Sequence, residues 1–247
     1  MGAGEGSVPV RTAAGRRWLV VEPPGAVLAF GLGPRYRDGG EPPAPEELPG
    51  TPRALRWCEQ VHGTLLASLA SEPGRPLAGA AAVGRCDGLL TAEPGLGLAV
   101  RTADCVPVLL AGGGVVGAVH AGWRGTAAGI VARAVRRFAV EYGVAPGELH
   151  AALGPAIGGC CYEVGEEVIA ALAGRGVPEA LWRDGSRADL RVLLRAELVA
   201  LGVPERRIVL AGGCTACTAE LASYRRDGEA AGRQLSIAVL RAPRPLS

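Results

Sequence analysis

The chain has 247 residues, of which 49% are hydrophobic, and its formal net charge is +2. This near-neutral charge gives no strong attraction to nucleic acid or to an anionic membrane, and no apolar run approaches the roughly 20 residues of a membrane span. The sequence contains no lysine, which excludes Schiff-base catalysis and a phosphate-binding P-loop. No signal-peptide pattern begins the chain, so we expect a cytoplasmic protein, either a monomer or a homodimer.

Short apolar runs predict β-strands in the first half of the chain. They lie at RWLVV (17–21), RALRWCEQVH (53–62), GLGLAVRTAD (95–104), VPVLLAG (106–112) and VVGAVHAG (115–122). Two segments that are dense in glycine and proline, 31–54 and 71–79, predict irregular loops between these strands.

The second half of the chain mixes predicted helices with predicted strands. Apolar residues at helical spacing indicate helices at 126–142, 165–173 and 189–201, with Thr126 as the N-cap of the first. Strands are expected at 207–212 and 233–240. This order favours a mixed α/β (α+β) class, with one layered domain of mixed β-sheets flanked by helices over residues 1–247.

Three glycines formally match the GxGxxG pattern of dinucleotide-binding proteins: Gly112, Gly114 and Gly117. That fingerprint needs a helix directly after the glycines, with its N-terminus facing pyrophosphate. Here the apolar run VVGAVH follows and predicts another strand. We therefore interpret these glycines as part of a β-hairpin.

Three side chains with metal-binding chemistry lie where predicted strands meet loops: His62, Cys105 and His120. Two imidazoles and one thiolate are suitable zinc ligands, and three protein ligands leave the fourth tetrahedral position open, as in catalytic zinc sites. Copper could occupy the same site because it binds such ligands more tightly than zinc. Their spacing alone also fits a core cysteine and two hydrogen-bonded histidines.

Other charged residues are candidates for proton transfer or anion binding. Asp104 adjoins Cys105, and Glu163 is a second candidate acid or base. Arg124 follows His120 at the start of a predicted helix, where it could hold phosphate or an oxyanion, or could simply pack over Trp123.

The remaining polar residues have plainer interpretations. Asp87 is typical of a turn, and the arginines in SYRRDGEAAGRQ indicate a solvated turn: Arg225, Arg226 and Arg233. We expect His150 to serve packing or lie at the surface.

The other cysteines also have plain interpretations. The adjacent Cys160 and Cys161 are expected to be small buried residues, and Cys58 and Cys86 to be packing residues. The CxxC of Cys214 and Cys217 is a redox pair at most, because no second pair follows it.

Several motifs in a fixed order make the chain resemble the laccase-domain family. They are QVHG, DGLLT, TADCVPVLL, VHAGWRGT, GPAIGGCCYEVGEEV and a late CT…SYRRDG…GRQ. The resemblance runs from about Trp57 to the C-terminus, and residues 1–54 form a divergent N-terminal part. Where the family has an aromatic pair before SYRR, this chain has Leu221 and Ala222, so base stacking or core packing can differ.

The resemblance implies both a site and an activity. By resemblance, His62, Cys105 and His120 correspond to the family's zinc ligands. Cys105, Asp104 and Arg124 are our catalytic candidates, the last two chosen from their position and chemistry, with Asp104 for proton transfer and Arg124 for anion binding. The implied activity is phosphorolysis of adenosine, inosine, guanosine and methylthioadenosine, with deamination of adenosine to inosine as a second reaction.

Three other functions compete with this prediction. A cysteine hydrolase or deamidase could use Cys105 activated by His120, and a metal-binding protein without catalysis is a further alternative. A copper-dependent polyphenol oxidase is disfavoured because the three histidines of the sequence cannot supply the imidazoles of a multicopper centre.

Overall fold

A computed structural model describes residues 8–33, 42–71 and 77–241. The strands in these ranges are β1 Val10–Ala13, β2 Arg16–Val21, β3 Ala26–Leu32, β4 Ala54–Glu59, β5 Leu66–Leu69, β6 Gly79–Arg85, β7 Gly88–Thr91, β8 Leu96–Thr102, β9 Val106–Gly112, β10 Val115–Ala121, β11 His150–Leu153, β12 Arg183–Asp184, β13 Arg187–Ala188, β14 Ile208–Leu210 and β15 Gln234–Leu240. The helices are α1 Trp123–Ala127, α2 Ile130–Tyr142, α3 Glu166–Ala173, α4 Glu179–Trp182, α5 Leu190–Ala200 and α6 Tyr224–Asp227.

Two large sheets carry most of the strands. One has seven strands in the order β1-β2-β3-β15-β8-β4-β6, and the other has six in the order β14-β11-β9-β10-β7-β5. Both sheets are mixed, because β4 runs parallel to β6 and β8 while β8 and β15 are antiparallel, and β5 and β7 are parallel within the second sheet. The predicted class, mixed sheets flanked by helices, is confirmed.

The apolar runs reflect burial on both faces of these sheets. In β8, Leu98 and Val100 point into the core between the two sheets, whereas Ala99 joins the core on the opposite face. Successive side chains of a strand point to opposite faces, so a strand covered on both faces reads as a continuous apolar run.

Helices cover the outer face of the six-stranded sheet. One face of α2 is buried against it through Ile130, Val131, Ala134, Val135 and Phe138, which is the helical spacing read from the sequence. The helices α3 and α5 contribute to the same core, and they match the predictions at 165–173 and 189–201.

The predicted helix at 126–142 is wrong at its start. Gly129 has a left-handed backbone (φ 78°) that separates α1 from α2, a conformation that glycine adopts without steric cost. Gly122 is the N-cap of α1. Thr126 is therefore not the cap, but lies fully buried inside α1.

The predicted loops are confirmed only in part. A short 3₁₀ turn, Pro45–Glu47, lies within 31–54, while residues 34–41 and 72–76 of the two predicted loops lie outside the described residues. Gly112 ends β9, Gly114 lies in the turn and Gly117 lies within β10, and the two strands pair as an antiparallel hairpin. The hairpin interpretation is confirmed. No helix among the described residues is long and apolar enough to span a membrane. The assignment of residues 1–247 to one domain stays a prediction.

Candidate metal and substrate site

The topology brings three distant side chains to one edge of the stacked sheets. Strands β4 and β8 are parallel, so the segments after them, which hold His62 and Cys105, leave the sheet at the same edge. The next strand, β9, starts there and pairs in antiparallel register with the end of β10, where His120 lies opposite Pro107. The candidate ligand atoms of the three side chains all lie within 4.8 Å of one another.

The two histidines polarise the thiol of Cys105. Burial opposes ionisation of this thiol, but hydrogen bonds with His120 and His62 outweigh it and lower the pKa of Cys105 to about 6. Burial likewise opposes protonation of His120, yet its hydrogen bonds with Asp87 and Cys105 raise the pKa of the imidazole to about 9. The trio of His62, Cys105 and His120 therefore favours a thiolate at Cys105, which is the form of cysteine that binds metals.

Asp87 orients both histidines, His120 through its ring and His62 through its backbone. It is fully buried, and its Oδ1 lies 2.9 Å from Nδ1 of His120. The same carboxylate accepts backbone N–H bonds from Val61, His62 and Gly63 at 3.1, 2.8 and 2.7 Å, which holds the loop in which His62 has a φ of 59°. Asp87 lies in the bend between β6 and β7, as its interpretation as a turn residue predicts, but its partners from β10 and from the loop after β4 were not foreseen.

Gly122 leaves open the space between two of the candidate ligands. A Cβ atom at this position would lie 2.9 Å from Nδ1 of His62 and 3.0 Å from Sγ of Cys105. Real Cβ atoms essentially never come closer than 3.0 Å to another atom, and a contact at 3.0 Å is tighter than nine in ten of theirs. The glycine in the HAGWRG motif is therefore required by the trio itself, not by its backbone angles, which are extended.

A cavity of about 570 Å³ opens directly onto the trio. This volume falls within the range of small-molecule sites. Four arginines line it: Arg101, Arg124, Arg225 and Arg233. Aromatic rings line it as well: Trp123, Tyr162 and Tyr224. The interpretation of Arg225 and Arg233 as part of a solvated turn is wrong, because both face this cavity, whereas Arg226 binds backbone carbonyls outside it.

Arg124 and Arg225 of the cavity differ in the hydrogen bonds that their guanidinium groups already make within the protein. The Arg124 guanidinium stacks over Trp123 at 4.3 Å, and among the described residues no hydrogen bond to another side chain or carbonyl involves it. By contrast, the Arg225 guanidinium donates to the carbonyls of Cys161 and Glu163 at 3.3 and 3.0 Å. Of these two arginines, Arg124 is the one better placed to receive an anion.

The two carboxyl candidates lie in different places. Asp104 lines the cavity, but Oδ1 accepts from the Thr215 hydroxyl at 2.6 Å and Oδ2 from the Arg225 amide at 2.7 Å. Glu163 is exposed, accepts from the Ser186 hydroxyl and does not line this cavity. The geometry brings Asp104 into the site and leaves Glu163 outside it.

The remaining cysteines divide into buried and clustered groups. Cys58 and Cys86 are fully buried, as expected of packing residues. The prediction that Cys160 and Cys161 are buried is wrong, since the first is exposed and the second half-buried. Both lie beside the CxxC pair, so that four thiols form one group: Cys160, Cys161, Cys214 and Cys217.

Two other predictions concern residues away from the trio. His150 is half-buried on β11, in agreement with a packing or surface position. Leu221 and Ala222 are buried in the protein and do not line the cavity. Their difference from the family pattern is therefore one of core packing.

The fold and site together define a class: a layered α/β protein with a histidine–cysteine trio at the shared edge of two mixed sheets. The family described as "Multi-copper polyphenol oxidoreductase laccase" matches residues 45–241. The chain belongs to this laccase-domain family, as the motifs of the sequence indicated.

Named relatives are similar over most of the chain. The "Purine nucleoside phosphorylase YlmD" of Geobacillus stearothermophilus is 41% identical over 194 residues, which cover 73% of this chain and 71% of that protein. The "Purine nucleoside phosphorylase SCO2081" of Streptomyces coelicolor is 43% identical over 191 residues, which cover 74% of each.

Solved structures extend this similarity to almost the whole fold. The crystal structure of YlmD from Geobacillus stearothermophilus aligns with a TM-score of 0.76 at 30% identity, covering 94% of this chain and 99% of that one. The hypothetical protein YfiH of Bacillus licheniformis aligns with the same TM-score at 26% identity and the same coverage.

Proposed function

We propose that the chain is a zinc-dependent purine nucleoside phosphorylase. It would convert adenosine, inosine, guanosine or methylthioadenosine, together with phosphate, into the free base and the sugar 1-phosphate. Deamination of adenosine to inosine is proposed as a second reaction. The observation that carries the proposal is that the His62, Cys105 and His120 trio and the Arg124 guanidinium face one cavity of about 570 Å³.

The donor set of the trio fits a zinc ion. Two imidazoles and a thiolate are typical zinc ligands, and three of them leave one position for water or substrate. The hydrogen bond from Nδ1 of His120 to Asp87 leaves Nε2 as the ligand atom, an arrangement common among metal-binding histidines. When bound, zinc supplies Lewis-acid chemistry that polarises an oxygen ligand.

The chain's own residues would bind and orient the two substrates. Arg124 would hold phosphate, because its planar guanidinium can form two parallel charge-assisted hydrogen bonds to phosphate oxygens. Stacking on Trp123 would keep the guanidinium in place. Tyr162 offers a half-buried ring for an apolar face of the purine or ribose, in keeping with the use of aromatic residues in ligand pockets.

Asp104 is proposed as a positioning residue. Both of its carboxylate oxygens accept hydrogen bonds from other parts of the chain, and its backbone has a φ of 82°, which is uncommon outside glycine. It would thereby set the position of the adjacent Cys105. A proton-transfer role would require one of these hydrogen bonds to open.

A cysteine hydrolase remains the second candidate function. The observation in its favour is the pKa of Cys105, which its hydrogen bonds with His120 and His62 lower to about 6 against the opposing effect of burial. An activated thiolate beside an imidazolium is also the arrangement of cysteine nucleophiles. The two functions differ in metal dependence and in the products they form.

Product analysis with adenosine tests the proposal. Protein of measured zinc content is incubated with adenosine, with and without phosphate, and the products are separated by chromatography. Adenine with ribose 1-phosphate, formed only with phosphate, is the expected phosphorylase result, and inosine without phosphate is the expected deaminase result. Both should disappear in Cys105→Ala and His62→Gln, whereas His150→Gln, a histidine variant outside the cavity, should retain them.

Two results would contradict the proposal. Stoichiometric zinc with no change in any of the four nucleosides would rule out the nucleoside activity. Turnover of an amide or ester by zinc-free protein, abolished by thiol alkylation, would favour the cysteine hydrolase instead.

A further inference from the structure

Four cysteines form a second cluster, separate from the trio. Cys160 and Cys161 lie in the turn after the β-bridge residue Ala156, and Cys214 and Cys217 lie in the loop after β14. The isolated parallel bridge between Ala156 and Cys214 joins the two segments. Pairs of cysteines from two separate segments are the usual composition of a four-thiolate zinc site.

The sulfur atoms are arranged as such a site requires. All four lie within 4.8 Å of one another, and Sγ of Cys217 is 3.6 Å from that of Cys160 and 3.3 Å from that of Cys161. A tetrahedral ion with zinc–sulfur bonds of about 2.3 Å places its ligands about 3.8 Å apart. Small side-chain movements would therefore bring the cluster to the required geometry.

We propose that Cys160, Cys161, Cys214 and Cys217 bind one zinc ion, independently of the trio. Four protein ligands close the coordination sphere and leave no position for water or substrate, which is typical of a structural site. The chain would then bind two zinc ions with different ligand sets.

The backbone around the cluster is suited to thiolates. The amide of Gly158 donates to Sγ of Cys214 at 3.3 Å, and the amide of Cys217 donates to the same sulfur. Hydrogen bonds to ligand atoms orient metal ligands and stabilise their charge. The Arg225 side chain also donates to the carbonyl of Cys161, which brings a positive charge close to the cluster.

An ion in this cluster would fix one wall of the substrate cavity. Tyr162, which lines the cavity, directly follows Cys161. Thr215, which follows Cys214, donates from its backbone to Ala156 and from its hydroxyl to Asp104, at 3.0 and 2.6 Å. The proposed ion would therefore add a link between two segments that the bridge between Ala156 and Cys214 already joins, and it would support the residues that position Cys105.

Metal counting on three proteins tests this inference. The wild type, a His62→Ala/His120→Ala variant and a Cys214→Ser/Cys217→Ser variant are loaded with Zn²⁺ under reducing conditions, and bound zinc is measured by elemental analysis. We expect two zinc ions per chain in the wild type and one in each variant. X-ray absorption of the histidine variant should show about four sulfur ligands at about 2.3 Å.

The number of sulfur ligands per zinc ion in the wild type gives a test that does not depend on how the variants fold. Two occupied sites with these ligand sets give an average of about 2.5 sulfur ligands per zinc, whereas the trio alone gives about one. One zinc per wild-type chain with about one sulfur ligand would overturn the inference. A disulfide between Cys217 and either Cys160 or Cys161 in reductant-treated protein, detected by peptide mapping, would also overturn it.

The same measurements separate this inference from the proposed function. A nucleoside phosphorylase with one zinc ion that has about one sulfur ligand would leave the function intact and refute the cysteine site. Two zinc ions without nucleoside turnover would support the cysteine site and contradict the function.

Discussion

Nδ1 of His120 lies 2.9 Å from Oδ1 of Asp87, and both side chains are buried. Burial opposes ionisation of Asp87, yet hydrogen bonds from His120 and from the backbone of the His62 loop lower the pKa of the carboxyl group. One carboxylate thus orients an imidazole from β10 and the loop that carries a second imidazole. The geometry of the trio depends on a residue that does not belong to it.

Asp87→Asn is expected to weaken zinc binding at the trio about 10- to 100-fold, the usual cost of losing a carboxylate that orients a ligand histidine. An amide is neutral, and its NH₂ group is a donor. It would face the backbone N–H groups from which the carboxylate now accepts hydrogen bonds. Competition with a chromophoric chelator measures the affinity, in a Cys214→Ser/Cys217→Ser background that isolates the trio. Asp184→Asn, at an exposed position on β12, is the matched control. An unchanged affinity in Asp87→Asn would contradict the role of this carboxylate.

Gly122→Ala is expected to impair the trio while leaving the fold intact. The added methyl group would lie 2.9 Å from Nδ1 of His62 and 3.0 Å from Sγ of Cys105. Overpacking of this kind costs about 1–3 kcal/mol, which corresponds to roughly 5- to 150-fold weaker zinc binding. The same chelator competition measures the loss.

Gly147→Ala serves as the control for this substitution, because a Cβ atom there would meet no atom within 4 Å. Both variants should keep the far-ultraviolet circular dichroism of the wild type. Normal zinc affinity in Gly122→Ala would show that the trio relaxes freely around a methyl group, against the prediction.

The sequence predicted the three candidate ligands but not what supports them. His62, Cys105 and His120 each lie where a predicted strand meets a loop, and the resemblance to the laccase-domain family, more than their spacing, selected them as ligands. Asp87 lies before a glycine in a pattern typical of turns, and its partners come from segments far away in the sequence. No local signal could reveal those partners, because they are set by the way β4, β8 and β10 meet at one edge.

The same reason explains the errors over the cysteines and arginines. A single CxxC carries little information until a second pair of thiols is known to lie beside it, and the bridge between Ala156 and Cys214 is a tertiary contact. The break between α1 and α2 has only a weak signal in the sequence. Gly129 stands within the predicted helix, but an isolated glycine in a helical pattern does not by itself predict an end.

Arg124→Met tests the proposed phosphate contact. Loss of charge-assisted hydrogen bonds costs about 1.5–3 kcal/mol, so the KM for phosphate should rise about 10- to 150-fold, while the KM for the nucleoside changes little. Initial rates over a matrix of phosphate and nucleoside concentrations separate the two constants. Arg136→Met, on the exposed face of α2, should leave both constants unchanged. A larger effect on the nucleoside than on phosphate would assign Arg124 to the other substrate.

Glu197 provides a prediction about stability and pH. It is buried on α5, Oε1 accepts from the Arg175 guanidinium, and Oε2 is buried with no hydrogen-bond partner among the described residues. Burial outweighs the attraction of Arg175 and raises the pKa of Glu197. The folded chain therefore binds this proton more tightly than the unfolded chain, so the contribution of Glu197 to stability is fully present below its unfolded pKa and is lost as the pH rises through the folded value.

Glu197→Gln removes this titration while keeping the size of the side chain. The free energy of unfolding of the wild type, measured relative to the variant by urea denaturation, should therefore be larger at pH 4 than at pH 7, which means that the wild type is relatively more stable at pH 4. Glu205→Gln, which removes an exposed partner of Arg195, is the control and should show a smaller dependence, since exposed ion pairs contribute little. If the difference between wild type and Glu197→Gln is constant across this range, the pairing with Arg175 offsets burial completely, and the direction inferred for the pKa of Glu197 is wrong.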